Sequence, residues 1–99
     1  MAATGELRLR YTRRAQRDIS QILTYLEGRS PAGSEHVVAS LQASLNFIAE
    51  YPLGGKRTRN PTLFVKIVSD YPYKIFYRLR GGAIEIAHMR HAARRPWPA

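Results

Sequence analysis

Two glycines, Gly81 and Gly82, stand between two runs in which apolar and polar residues alternate, Tyr73–Arg80 and Ala83–Arg90. Glycine takes positive φ angles without steric cost, and a two-residue loop of such residues matches the twist of the strands it joins. The pair therefore predicts a β-hairpin, and it pins the register around which the rest of a small sheet must be laid. On the first strand Tyr73, Ile75, Tyr77 and Leu79 share one face, and Lys74, Phe76, Arg78 and Arg80 share the other. Tyr73 and Tyr77 read as core; Phe76, among cations, reads as half exposed. On the second strand Ile84 and Ile86 mark the apolar face. Strict alternation puts His88 on that face too, as a core histidine with its hydrogen bonds satisfied.

The preceding residues supply what covers this sheet. Leu7, Leu9 and Tyr11 alternate with Arg8 and Arg10, the pattern of a short half-buried strand. Thr12 suits a helix N-cap. Ala15, Ile19, Ile22, Leu23 and Leu26 then recur at helical spacing, and Gly28 stops the helix. Arg13, Arg14 and Arg17 crowd its first turn, where the helix dipole is already positive. A second helix starts at Ser30-Pro31 or at Ser34, carries Val37, Val38, Leu41, Leu45 and Ile48 inward, and closes at Tyr51-Pro52. Leu53 to Pro61 reads as a basic loop bearing Lys56, Arg57 and Arg59. Residues 62–69 form a further strand, with Leu63, Val65 and Ile67 opposed to Phe64, Lys66 and Val68. The order is β-α-α-β-β-β. That is an α+β fold in which a helical hairpin packs on one face of a small, mainly antiparallel sheet. Its other face is expected to be open and to carry Lys66, Lys74, Arg78 and Arg80.

With 99 residues the chain reads as one domain spanning 1–99, with 1–6 and 96–99 as loose ends. It has no cysteine, no bilayer-length apolar run and no signal-peptide pattern, so the expectation is a cytoplasmic protein without disulfides or membrane contact. The net charge of +9 is unevenly placed. Residues 1–55 hold six arginines against five acids, whereas residues 56–99 hold ten Lys or Arg against two acids. A positive half-domain suits a polyanion or an acidic protein.

RNA cleavage without a metal needs a base for the 2′-hydroxyl, cations for the phosphate and an acid for the leaving oxygen. Cations are plentiful, and His88 and His91 titrate near neutrality. Only Glu85 is acidic in the closing hairpin, however, and an exposed strand position accounts for it. Metal binding is not expected, because a three-residue spacing on a strand puts His88 and His91 on opposite faces. No phosphate-cradling glycine loop is present, and no cofactor is expected.

Three segments in order carry a resemblance: LRYTRRAQRDISQILTYL, EYPLGGKR and YPYKIFYRLRGGAIEIAHMRHAAR. Together they resemble the RelE/ParE superfamily of bacterial toxins. The resemblance implies the growth-inhibiting toxin of a type II toxin–antitoxin system. Its partner would be a cognate antitoxin that lays a disordered, acidic segment across it in a hetero-oligomer. ParE-like members inhibit DNA gyrase; RelE-like members cut mRNA on the ribosome. The His91-x-x-Arg94 ending and the lack of a clear acid–base set resemble the ParE side. The alternatives are an mRNA endonuclease, with His91 and Arg94 as its catalytic candidates, and an inactive basic binding module. Lys56, Arg57, Lys66, Lys74, Arg78, Arg90 and Trp97 are the candidate contacts to target or antitoxin. Arg90 departs from the family pattern, in which an apolar residue is usual.

Overall fold

The computed structural model describes residues 8–28, 31–69 and 71–91. The ends read as loose, 1–6 and 96–99, lie outside them. Among the described residues five strands and two helices follow one another as β1 (Leu9–Tyr11), α1 (Arg13–Glu27), α2 (Pro31–Glu50), β2 (Lys56–Arg57), β3 (Phe64–Ile67), β4 (Tyr73–Arg80) and β5 (Ala83–His91). In space the strands run β1-β5-β4-β3-β2. Only β1 and β5 are parallel; every other pairing is antiparallel. The fold is therefore the expected one with a short strand added. Lys56 and Arg57, read as loop, pair with Val65 and Phe64. The connection back to β3 is tied by Thr58, whose N–H donates to the Leu63 carbonyl and whose Oγ1 donates to the Asn60 carbonyl.

Gly81 and Gly82 adopt φ of 58° and 76°, the left-handed values that the hairpin requires. Thr12 caps α1: its Oγ1 accepts from Ala15 N at 3.0 Å. Pro31 takes the first position of α2, where its missing N–H costs nothing. Both helices lie on one side of the sheet. Between the layers sit Ala15, Ile22 and Leu26 of α1, and Val37, Leu41, Leu45 and Ile48 of α2. Tyr73, Ile75, Tyr77, Ile84, Ile86 and Met89 meet them from the sheet. Leu23 and Val38, placed on the buried stripes by spacing, are instead exposed, because a helix lying on a sheet buries a narrower arc than those stripes span. The loop that follows α2 is bound to the sheet by Tyr77, whose hydroxyl accepts from Gly55 N at 3.0 Å. A Cβ on Gly55 would run into that hydroxyl.

Two departures from the expected phase decide what each face carries. The first is a β-bulge in β5. Phe76 pairs with His88 but Tyr77 pairs with Ile86, which leaves Ala87 as an extra residue. Beyond it the phase reverses. Met89 joins Ile84 and Ile86 in the core, and His88 turns to the far side, contrary to the core position that alternation gave it. The second lies in β3. Phe64 pairs with Tyr77 and Lys66 with Ile75, so Phe64 and Lys66 face the helices while Val65 and Ile67 face outward. Both faces of this strand are apolar enough to be buried. The Phe64–Tyr77 stack, with centroids 5.5 Å apart, is the contact made by the phase adopted.

Candidate functional site

Beyond the Arg80–Ala83 pair at the hairpin tip, the face away from the helices presents three rows of side chains across the strands. The first of these rows joins Arg10, Glu85 and Arg78. The middle row joins His88, Phe76, Val65 and Lys56. The third joins Arg90, Lys74 and Ile67. Rows on one strand are separated by two residues, or about 6.6 Å.

In the first row Arg78 Nε donates to Glu85 Oε1 at 2.6 Å, and an Arg80 nitrogen lies 3.6 Å from the same oxygen. The hydrogen bond from Arg78 holds the Glu85 carboxyl below its ordinary value. Burial opposes the shift, while the charges of Arg78, Arg80 and Arg10 reinforce it. In the middle row the rings of Phe76 and His88 stack at 4.3 Å and 15°. His88 Nδ1 is buried without a hydrogen-bond partner. Its pKa falls below the ordinary value, chiefly through burial and then through the charge of Arg14, with Asp18 opposing. The charged form of the imidazole is therefore disfavoured. In the third row Lys74 and Arg90 stand directly opposite each other. No carboxylate among the described residues reaches salt-bridge distance of either.

Beside this face, the strand edge left open where β1 stops is covered by α1. Thr12 Oγ1 donates to the Ala87 carbonyl at 2.7 Å, and Asp18 Oδ2 accepts from Met89 N at 2.9 Å. These two bonds anchor the start of α1 to the bulged segment. The sequence marks neither of them, because each depends on where β1 ends.

The sequence-derived candidates divide between the two faces. Lys56, Lys74, Arg78 and Arg90 share the open face, although Arg78 is engaged by Glu85. Lys66 is a correction: it lies on the helix side, its Nζ 4.2 Å from the centroid of Phe47, because the register of β3 is the reverse of that expected. Arg57 is likewise on the helix side, 5.6 Å from the Phe64 ring. His91, at the end of β5, pairs with Tyr73 and meets its ring edge-on at 5.1 Å and 79°. It is thus on the opposite face from His88, as the spacing required. Arg94 and Trp97 lie outside the described residues. What the sequence did not single out is Arg10, and the contact of Phe76 with His88, which exists only because of the bulge. Among the described residues no three potential metal ligands cluster, and no helix is long and apolar enough to cross a membrane.

Comparison with known proteins agrees with this architecture. The family model described as the ParE toxin of the type II toxin–antitoxin system, parDE, matches residues 9–96. The chain is 34% identical to Y4kP of Sinorhizobium fredii over 91 residues, covering 92% of this chain and 93% of that one. It is 34% identical to toxin RelE2 of Caulobacter vibrioides over 84 residues, covering 85% and 93%. Among solved structures, a chain of the chromosomal ParDE toxin–antitoxin system from P. aeruginosa superposes with a TM-score of 0.74 at 18% identity, covering 91% of this chain and 99% of that one.

Proposed function

Because the chain belongs to the ParE toxin family of type II toxin–antitoxin systems, within the RelE/ParE superfamily, we propose that it arrests growth by binding DNA gyrase, and that a cognate antitoxin neutralises it. The observation that carries this reading is the condition of the ionisable groups on the open face. Cleaving RNA without a metal requires a free base and a free acid beside the cations. Among the described residues Glu85 is the carboxylate of that face, and it is bound to Arg78. His88 is stacked on Phe76 and its protonation is disfavoured. His91 faces the helix side. A cationic surface without a free acid–base pair supports contact rather than catalysis.

The test is a gyrase supercoiling assay with the purified full chain. Inhibition at stoichiometric excess is expected, and undisturbed supercoiling would remove the proposal. A second reading, ribosome-dependent mRNA cleavage, draws on the cations and aromatics of the open face. In a translation extract it requires message cut at A-site codons, whereas the gyrase reading requires intact message. The antitoxin is expected to carry an acidic segment that orders on binding. Expression of the chain alone should arrest growth, and co-expression of the neighbouring small protein should restore it. An affinity for that protein that does not fall with rising salt would refute the acidic character of the contact.

A further inference from the structure

We propose that the open sheet face binds single-stranded DNA, with phosphates held at Lys74 and Arg90 and a base stacked on the Phe76–His88 pair. The inference rests on the gyrase reading only for its choice of DNA over RNA.

Lys74 and Arg90 are the first ground. They are cross-strand partners on adjacent strands, and like charges placed directly opposite destabilise a sheet. Neither has a carboxylate partner among the described residues, in contrast to Arg78 on the same face. The lone cost is removed when an anion sits between them. The second ground is the row alongside. Phe76 and His88 are half-buried and already parallel at 4.3 Å. Their row continues through Val65 to Lys56 at the sheet edge. Every nucleobase has a flat π-face, so an aromatic surface flanked by cations takes a single strand with little regard to sequence. The third ground is what lies on the other flank. Arg10, Arg78 and Arg80 surround one carboxylate, Glu85, so that flank also keeps excess positive charge. A phosphate track on either side of a stacking row is the arrangement of a single-strand platform on a sheet. An acidic peptide would satisfy the cations but brings no flat ring to extend the Phe76–His88 stack, and duplex DNA has its bases stacked away.

The test uses the full chain and fluorescence anisotropy with a labelled oligothymidylate of about 20 nucleotides, long enough for one such site. Matched duplex, oligouridylate and polyglutamate serve as competitors. Micromolar binding to the oligothymidylate is expected, with affinity falling as salt rises. K74Q and R90Q are each expected to weaken it about three- to tenfold and to reduce the salt slope by about one. Both positions lie on the open face, so thermal unfolding should be little changed. F76L should weaken binding about fivefold or more with the slope preserved, since stacking rather than charge is lost. The inference is overturned by absence of binding, by equal or tighter binding of duplex, oligouridylate or polyglutamate, or by wild-type affinity in both R90Q and K74Q. Gyrase is absent from this assay, so the two proposals fail separately. Oligothymidylate binding without gyrase inhibition removes the gyrase reading alone, and inhibition without oligothymidylate binding removes this one alone.

Discussion

Asp18→Ala tests the contact on which the placement of the open face depends. β1 ends at Tyr11, so the outer edge of β5 beyond Ile86 has no strand to pair with. Asp18 supplies the missing acceptor for Met89 N at 2.9 Å. Met89 is 1% exposed, so water cannot replace that acceptor in the folded chain. A hydrogen bond to a charged group contributes about 1.5–3 kcal/mol, and a buried donor left without a partner costs a similar amount. The expected loss for Asp18→Ala is thus about 2 kcal/mol, a large fraction of the roughly 5–15 kcal/mol that holds a domain together. For a chain of this size that corresponds to a fall in Tm of about 8–16 °C. Asp18→Asn keeps an oxygen acceptor and should lose about half as much. Urea unfolding at neutral pH measures both through the midpoint, with the slope m unchanged if the native fold is retained. Amide exchange at Met89 should accelerate in the alanine variant. A loss below about 0.5 kcal/mol, or equal losses in the two variants, would refute the role given to this carboxylate.

Gly55→Ala should destabilise by about 1–3 kcal/mol, because the new Cβ meets the Tyr77 hydroxyl and displaces the bond that ties the loop after α2 to the sheet; thermal unfolding reads it. His88 should titrate below its ordinary value of 6.5 in an NMR pH series. Its depressed value means that stability is full above the unfolded pKa and declines as pH falls from there through the folded pKa, and His88→Gln should abolish that part of the decline. Glu85 is also depressed, so its contribution is complete above the unfolded value of 4.5 and is lost as pH falls through the folded one; Glu85→Gln should flatten the acid limb of the stability curve. Lys66→Gln removes a cation from the Phe47 ring and should cost about 0.5–1 kcal/mol, while gyrase inhibition stays at the wild-type level because the side chain is not on the open face.

Much of this architecture follows from local pattern. The glycine pair, the threonine cap, Pro31 and the apolar spacing of both helices each specify an element through the few residues that form it, and those elements appear where expected. The candidate site was legible only in part. Lys74 and Arg78 were placed together, since both lie on one face of β4, whereas Arg90 joins them only through the bulge at Ala87. Lys66 and Arg57 were not, since the phase of β3 and the existence of β2 depend on contacts with residues distant in sequence.

What the sequence determined by itself is therefore every described element except β2, the α+β order, the hairpin and the excess of positive charge in the C-terminal half. Only the tertiary structure decided which side chains share a face. An extra residue at Ala87 reverses the phase of β5, and so turns His88 away from the core onto Phe76. The pairing of Phe64 with Tyr77 sends Lys66 beneath α2. The physical reason is common to both. A strand has a period of two, so a slip of one residue exchanges its faces, and the choice between them is made by packing across the sheet rather than along the chain.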